Sequence, residues 1–214
     1  MEGCFMNNCI FCQENRFVNN LKVGFTLSES LIYENEYIFV TPDLSPLVSG
    51  HLLIVSQNHY NSFAEAPVKV QDALQRAIEY IHNNLYCEKI TWFEHGAVFP
   101  GKGGASIDHA HLHVLPYDLP VQKAVEADDR FSKKVPFSKD IFHRLAKRQP
   151  YLWISNGFDS SSIYYVDILP SQYLRDVVMN LQGRKNYNWK SNFMKEESIR
   201  KYKETLEKIH LRGI

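Results

Sequence analysis

The chain carries no excess charge of either sign: of its 214 residues, 24 are Lys or Arg and 24 are Asp or Glu. A general nucleic-acid binder or a membrane-surface binder would show a basic surplus, so the balance argues against both. A small charged ligand needs only a local patch and stays open. Long apolar runs are also missing. Nothing approaches the ~20 residues of a membrane-spanning helix, and the start, MEGCFMNNCIFC, lacks the basic lead and apolar core of a secretory signal. A cytoplasmic location is expected. Four cysteines are too few for a disulfide framework in a chain of this size. In a reducing compartment the pair in Cys9-Ile-Phe-Cys12 instead suggests part of a metal or redox site, whereas Cys4 and Cys87 have no such context. Neither a repeat nor a low-complexity tract is present. The length is sufficient to bury a core and suits one domain with an extension, or two small ones.

What the chain does have is concentrated between Trp92 and Pro116. Side chains alternate along a β-strand, so His109, His111 and His113 would point one way and Ala110, Leu112 and Val114 the other. Same-face neighbours sit roughly 7 Å apart, close enough for adjacent imidazoles to share one small anion. The preceding run, Gly101-Lys-Gly-Gly-Ala-Ser106, is nearly free of side chains, so its backbone N–H groups can approach phosphate oxygens. Together these suggest a phosphate site beside a histidine nucleophile. The same residues also allow a metal site, since His-x-His on a strand is a good pair of zinc ligands, and a purely structural strand is the bland alternative. Cys9 and Cys12 can reach one zinc from a tight turn, but a closed site needs two more ligands.

The run His109-Ala-His111-Leu-His113-Val-Leu matches the His-φ-His-φ-His-φ-φ strand, with φ apolar, of the histidine triad (HIT) superfamily of nucleotide hydrolases and transferases. The chain resembles that family over residues 9–116. The resemblance implies an α+β fold, an antiparallel sheet with a long helix behind it. It implies His111 as the nucleophile toward the α-phosphorus of a nucleoside phosphoramidate, dinucleoside polyphosphate or related nucleotide, through a covalent nucleotidyl-histidine. Ser106 and His113 would contact phosphate, and one or the other would pass a proton to the leaving group. Asp43 would hold the ribose hydroxyls, and Ile10, Phe11 and Leu44 would lie against the base. In the zinc-bearing branch, and in the similar galactose-1-phosphate uridylyltransferases, a structural zinc is held by residues matching Cys9, Cys12, His59 and His109, with His51 competing for the place of His59. Glu94 is expected at the substrate: many hydrolases have asparagine at the aligned position, and the uridylyltransferases have Phe-Glu there. Histidine rather than glutamine at position 113 leans toward hydrolysis. A nucleotidyltransferase or phosphorylase using the same intermediate is the alternative, and a non-catalytic nucleotide-binding protein is a second. A two-fold homodimer is carried over as an expectation.

In chain order, the pattern predicts short strands over 31–34 and 37–41, a turn-rich loop over 42–50, and a strand over 51–56. An amphipathic helix follows over 67–86, with Val70, Leu74, Ala77, Ile78, Ile81 and Leu85 on one face, and then a strand over 89–94. These make up a histidine triad domain over residues 1–117. The extension over 118–214, of uncertain fold, contains a short helix over 139–147, strands over 151–155 and 163–168 about an Asn156-Gly157 turn, a helix from Pro170 to 181 and a last helix over 196–209. Gln172, Arg175, Lys185, Trp189 and Lys190 give it basic and aromatic character. A solvated helix face is the plain reading; contact of Gln172 and Arg175 with the far end of a substrate is the functional one.

Overall fold

The computed structural model describes residues 9–211 apart from 23, 88, 98–103, 105–106, 132, 146–148, 156, 159, 167, 169–170 and 185–187. Among the described residues, two short helices, α1 (Val18–Lys22) and α2 (Leu27–Ser30), precede strands β1 (Tyr33–Glu34), β2 (Ile38–Pro42) and β3 (Leu52–Ser56). Helix α3 (Val68–Tyr80) leads to β4 (Thr91–Gly96) and β5 (His111–Leu115). Then come α4 (Val121–Glu126), β6 (Lys134–Pro136), α5 (Lys139–Leu145), β7 (Tyr151–Ser155), β8 (Ser161–Tyr165), α6 (Tyr173–Leu181), α7 (Trp189–Asn192) and α8 (Glu196–His210).

The eight strands form one sheet in the order β1-β2-β3-β5-β4-β7-β8-β6, and every pairing is antiparallel. The fold class is α+β. The sheet joins strands from both sides of the boundary expected at residue 117, because β7 pairs with β4 from Phe93↔Ile154 to Gly96↔Tyr151. Both outer strands are short, and β6 ends on Pro136; such edges discourage pairing with other chains.

One face of the sheet packs against α3, whose Val70, Leu74, Ala77 and Ile78 meet Val40, Ile54, Leu112, Val114 and Trp92. The apolar stripe continues past α3 through a π-helical turn, Ile81–Tyr86, so the helix expected over 67–86 is one stripe in two geometries. The other face is apolar in two separate patches. Phe93, Leu152, Ile154 and Tyr164 meet α4 and α6 at one end, and Phe11, Phe17, Phe39, Leu53 and Val55 pack together at the other. A row of imidazoles lies between them.

Candidate active site

Strand β5 begins at His111, two residues later than the pattern suggests. His109 lies just outside it, with its N–H bonded to Ile107 O and its ring turned toward the cysteines. His111 and His113 lie beside Val55 and Leu53 of β3, and His113 stacks on Phe93 of β4 with ring centroids 4.8 Å apart.

Backbone groups set the tautomer of each buried ring. His111 Nδ1 lies 2.6 Å from the carbonyl of His109. A carbonyl only accepts, so Nδ1 carries the proton and Nε2 keeps the lone pair. Leu47 N–H donates to His51 Nδ1 at 3.1 Å. His51 must therefore carry its proton on Nε2, which donates to His113 Nδ1 at 2.9 Å, and the proton of His113 is left on Nε2. His113 thus offers a donor next to the acceptor nitrogen of His111, with ring centroids 5.1 Å apart. Burial holds all three rings below their ordinary value, His51 at about 3.

His95 was not singled out by the sequence. It sits on β4 on the same face as Phe93, and its Nε2 accepts the Leu174 N–H at 3.0 Å, so its proton is on Nδ1. Burial, with His111 and Arg175 nearby, lowers it to about 3.

Asp43 is buried. Its Oδ1 accepts the Ser45 N–H at 2.8 Å and its Oδ2 accepts from Arg175 Nη1, while Arg175 Nη2 donates to Ser45 O. Oδ2 is also 3.5 Å from His51 Nδ1 and 3.9 Å from His113 Nδ1. Burial alone would raise this carboxyl; Arg175, together with the Ser45 N–H, more than offsets it and holds it at about 2. Helix α8 supports the loop carrying Asp43 and His51. Its Lys201 Nζ donates to Leu47 O at 3.2 Å and its Thr205 Oγ1 accepts the Gly50 N–H at 2.7 Å.

Asp43, His95, His111, His113 and Arg175 line a cleft that is open to solvent and spans about 810 Å³. Ile10, Phe11 and Leu44 line it as well. Gln172 and Arg175 line it too, so the extension supplies part of the wall. Three groups at the start of α6 are tied to elements of the cleft: Gln172 N–H to Gly104 O at 2.9 Å, Leu174 N–H to His95, and Arg175 to Asp43. Gln172 takes a left-handed backbone, φ 68°, to make this turn. First-turn N–H groups lack partners within their own helix; here the cleft supplies two.

Glu94 does not reach the cleft. It lies on β4 with Trp92, facing α3, where its Oε1 accepts the Phe63 N–H and its Oε2 the Tyr151 O–H, both at 2.8 Å. The expectation of a substrate contact is corrected by strand parity: Phe93 and His95 face the cleft, and Glu94 between them faces away. Ser106, most of the glycine run, Asn156, Pro170 and Lys185 lie outside the described residues.

A second cluster joins Cys9, Cys12, His59 and His109, whose candidate ligand atoms all lie within 4.8 Å of one another. Cys9 Sγ is 3.4 Å and Cys12 Sγ 3.8 Å from His109 Nδ1, and Cys12 Sγ is 3.3 Å from His59 Nδ1. A tetrahedral zinc with its usual bond lengths separates sulfur from nitrogen by about 3.6 Å, so the set fits. His109 Nε2 donates to Ser56 O at 2.8 Å, which leaves Nδ1 unprotonated toward the sulfurs. His51 is not part of this cluster; it belongs with Asp43 and His113.

The HIT domain family model matches residues 26–119. An uncharacterized HIT-like protein of Methanocaldococcus jannaschii is 27% identical over 111 residues, 50% of this chain and 78% of the relative. Among solved structures, a HIT family hydrolase from Clostridium thermocellum is 20% identical and covers 51% of this chain and 90% of its own, with a TM-score of 0.39. A hypothetical histidine triad nucleotide-binding protein from Sulfolobus tokodaii is 18% identical and covers 81% of this chain and 94% of its own, with a TM-score of 0.38. Residues 26–119 thus match the HIT domain model, and the sequence relatives over this half of the chain are HIT-like proteins, which supports a place in the HIT superfamily.

Proposed function

We propose that the protein is a nucleotide hydrolase that works through a covalent nucleotidyl-histidine at His111. The supporting observation is the pair of set tautomers: a lone pair on His111 Nε2 beside a proton on His113 Nε2. The substrate would be a nucleoside phosphoramidate, dinucleoside polyphosphate or related nucleotide. Its base would lie against Ile10, Phe11 and Leu44, and its ribose hydroxyls would donate to the remaining lone pairs of Asp43. His111 Nε2 attacks the α-phosphorus in line; the P–N bond forms as the bond to the leaving group breaks, and the proton on Nδ1 stays there, hydrogen-bonded to the His109 carbonyl. His113 Nε2–H, with Ser106 and the glycine-run amides, stabilises the charge growing on the phosphate oxygens, and His113 or Ser106 passes a proton to the leaving group. Water then attacks the phosphorus and returns a proton to the group that gave one up, and the P–N bond breaks, releasing the nucleoside monophosphate and returning the imidazole to neutral.

Cys9, Cys12, His59 and His109 would hold a zinc ion. With four protein ligands such a site would have no open position, so the four residues would brace the N-terminal turn and His109 through it rather than supply chemistry. The Phe93-Glu94 likeness to the transferases carries no weight at the site, since Glu94 faces the opposite side of the sheet.

The test is product analysis with diadenosine tetraphosphate, with and without orthophosphate, beside His111→Asn. AMP formation indifferent to orthophosphate, and abolished in the variant while AMP still binds, is the expected result. ADP formed only with orthophosphate would make the protein a phosphorylase. Undiminished turnover by the variant would refute the covalent step.

A further inference from the structure

The permanently charged side chains among the described residues lining the cleft are Arg16, Asp43 and Arg175. Arg16 lies away from the histidine pair: its guanidinium donates to Gln57 Oε1 at 2.5 Å and sits over the Phe39 ring, 4.7 Å from the centroid. Arg175 is different. Its guanidinium is bonded to the Asp43 oxygen that lies 3.9 Å from His113 Nδ1, which puts a fixed positive charge one carboxylate oxygen away from the His113 ring.

A nucleotide phosphate brings negative charge into a cleft that already holds a buried carboxylate. A nucleophilic imidazole must be neutral to act, so His111 cannot balance that charge. An arginine can: its planar fork carries five N–H donors and suits phosphate oxygens. Arg175 is also kept in place at some cost. It is 6% exposed, and a buried cation is tolerated only when well paired. The start of α6 is held by two further bonds to the cleft, from Gln172 to Gly104 and from Leu174 to His95, so the side chain is delivered by a braced element.

Building on the hydrolase reading above, we propose that Arg175, supplied by the segment after the HIT domain, is a substrate-binding residue that contacts a phosphate oxygen of the bound nucleotide. Asp43 and Ser45 O hold the guanidinium ready in the absence of ligand. On binding, at least one N–H turns from these partners to the phosphate, and the ribose hydroxyls take up the lone pairs it leaves on Asp43.

The experiment uses the full chain carrying His111→Asn, which prevents turnover, and measures the affinity of adenosine and of AMP by calorimetry. Arg175→Met in this background should weaken AMP binding by about tenfold or more and leave adenosine within about twofold; Arg175→Lys should recover part of the loss. Because Arg175→Met also bares the Asp43 carboxylate, Asp43→Asn is compared with Asp43→Asn/Arg175→Met: a phosphate contact requires AMP affinity to stay lower in the double variant. Should Arg175→Met fail to fold, Arg175→Lys, which keeps a cation for Asp43, is read by the same AMP-to-adenosine ratio. Equal losses for both ligands, an unchanged AMP affinity, or a double variant equal to Asp43→Asn would overturn the proposal and leave Arg175 as a brace. If the His111→Asn parent binds neither ligand, the nucleotide reading itself fails, and that result is distinct from all the others.

Discussion

Glu94→Gln separates a packing role from a substrate role, and the structure sets its size. Burial pushes the Glu94 carboxyl from its ordinary 4.5 up to about 7, against the lowering effect of the Phe63 N–H and the Tyr151 O–H. Between those two values the folded chain holds a proton that the unfolded chain has released. Stability is therefore favoured below the lower value and falls as pH rises through the upper one, by about 3 kcal/mol in all. Glutamine keeps the shape, accepts from Phe63 N–H, donates to the Tyr151 oxygen and never ionises. At about pH 5 the variant should be less stable than the native chain by roughly 1 kcal/mol, the usual size of one altered hydrogen bond. By about pH 8 it should be the more stable of the two, because the native chain alone has lost the pH-dependent part. Urea unfolding followed by tryptophan fluorescence across this range gives both curves, and subtracting them cancels every titration the two proteins share. A difference that stays flat with pH would refute the reasoning. So would a large loss of AMP affinity, which would put Glu94 at the substrate after all.

Three further outcomes follow from the same geometry. Metal analysis should find about one zinc per chain, and Cys12→Ser should bring it toward zero and lower Tm by several degrees, each kcal/mol being worth about 2–4 °C at this size; full metal content in the variant would remove Cys12 from the ligand set. His51→Leu leaves the Leu47 N–H and His113 Nδ1 without their partner, so kcat should fall by about 10²-fold with KM little changed, and an equal rise in KM alone would contradict the tautomer argument. Gly96→Ala would place a Cβ 2.0 Å from the Tyr151 ring; unfolding should show a loss of at least about 2–3 kcal/mol, and a neutral result would mean that Tyr151 is not held across β4.

The sequence makes some of this plain and hides the rest for identifiable reasons. His111, His113 and the two cysteines stand out because their chemistry is concentrated in short spacings, and α3 because its apolar residues recur at helical intervals. The orientation of β4 does not stand out. All six residues from Thr91 to Gly96 are buried, and a strand covered on both faces lacks the alternation that reveals which side chain looks where. Hence the sequence offers Glu94 as a site residue and gives no sign of His95. Arg175 meets Asp43 across 132 positions of chain, and nothing local to either residue foretells that pairing. The π-helical turn at Ile81–Tyr86 was concealed within a continuous apolar stripe.

The junction between β4 and β7 bears on how the molecule can be cut. A fragment ending near residue 117 would keep β4 but strip away the strand that satisfies its outer side, turning an interior ribbon into a bare, apolar border with unanswered amides and carbonyls. Such a border invites lateral association. Two fragments could zip together there, or β7 of an intact neighbour could be borrowed in a reciprocal exchange. A dimer seen only after such trimming would be a product of the cut, and the oligomeric state has to be measured on the whole chain.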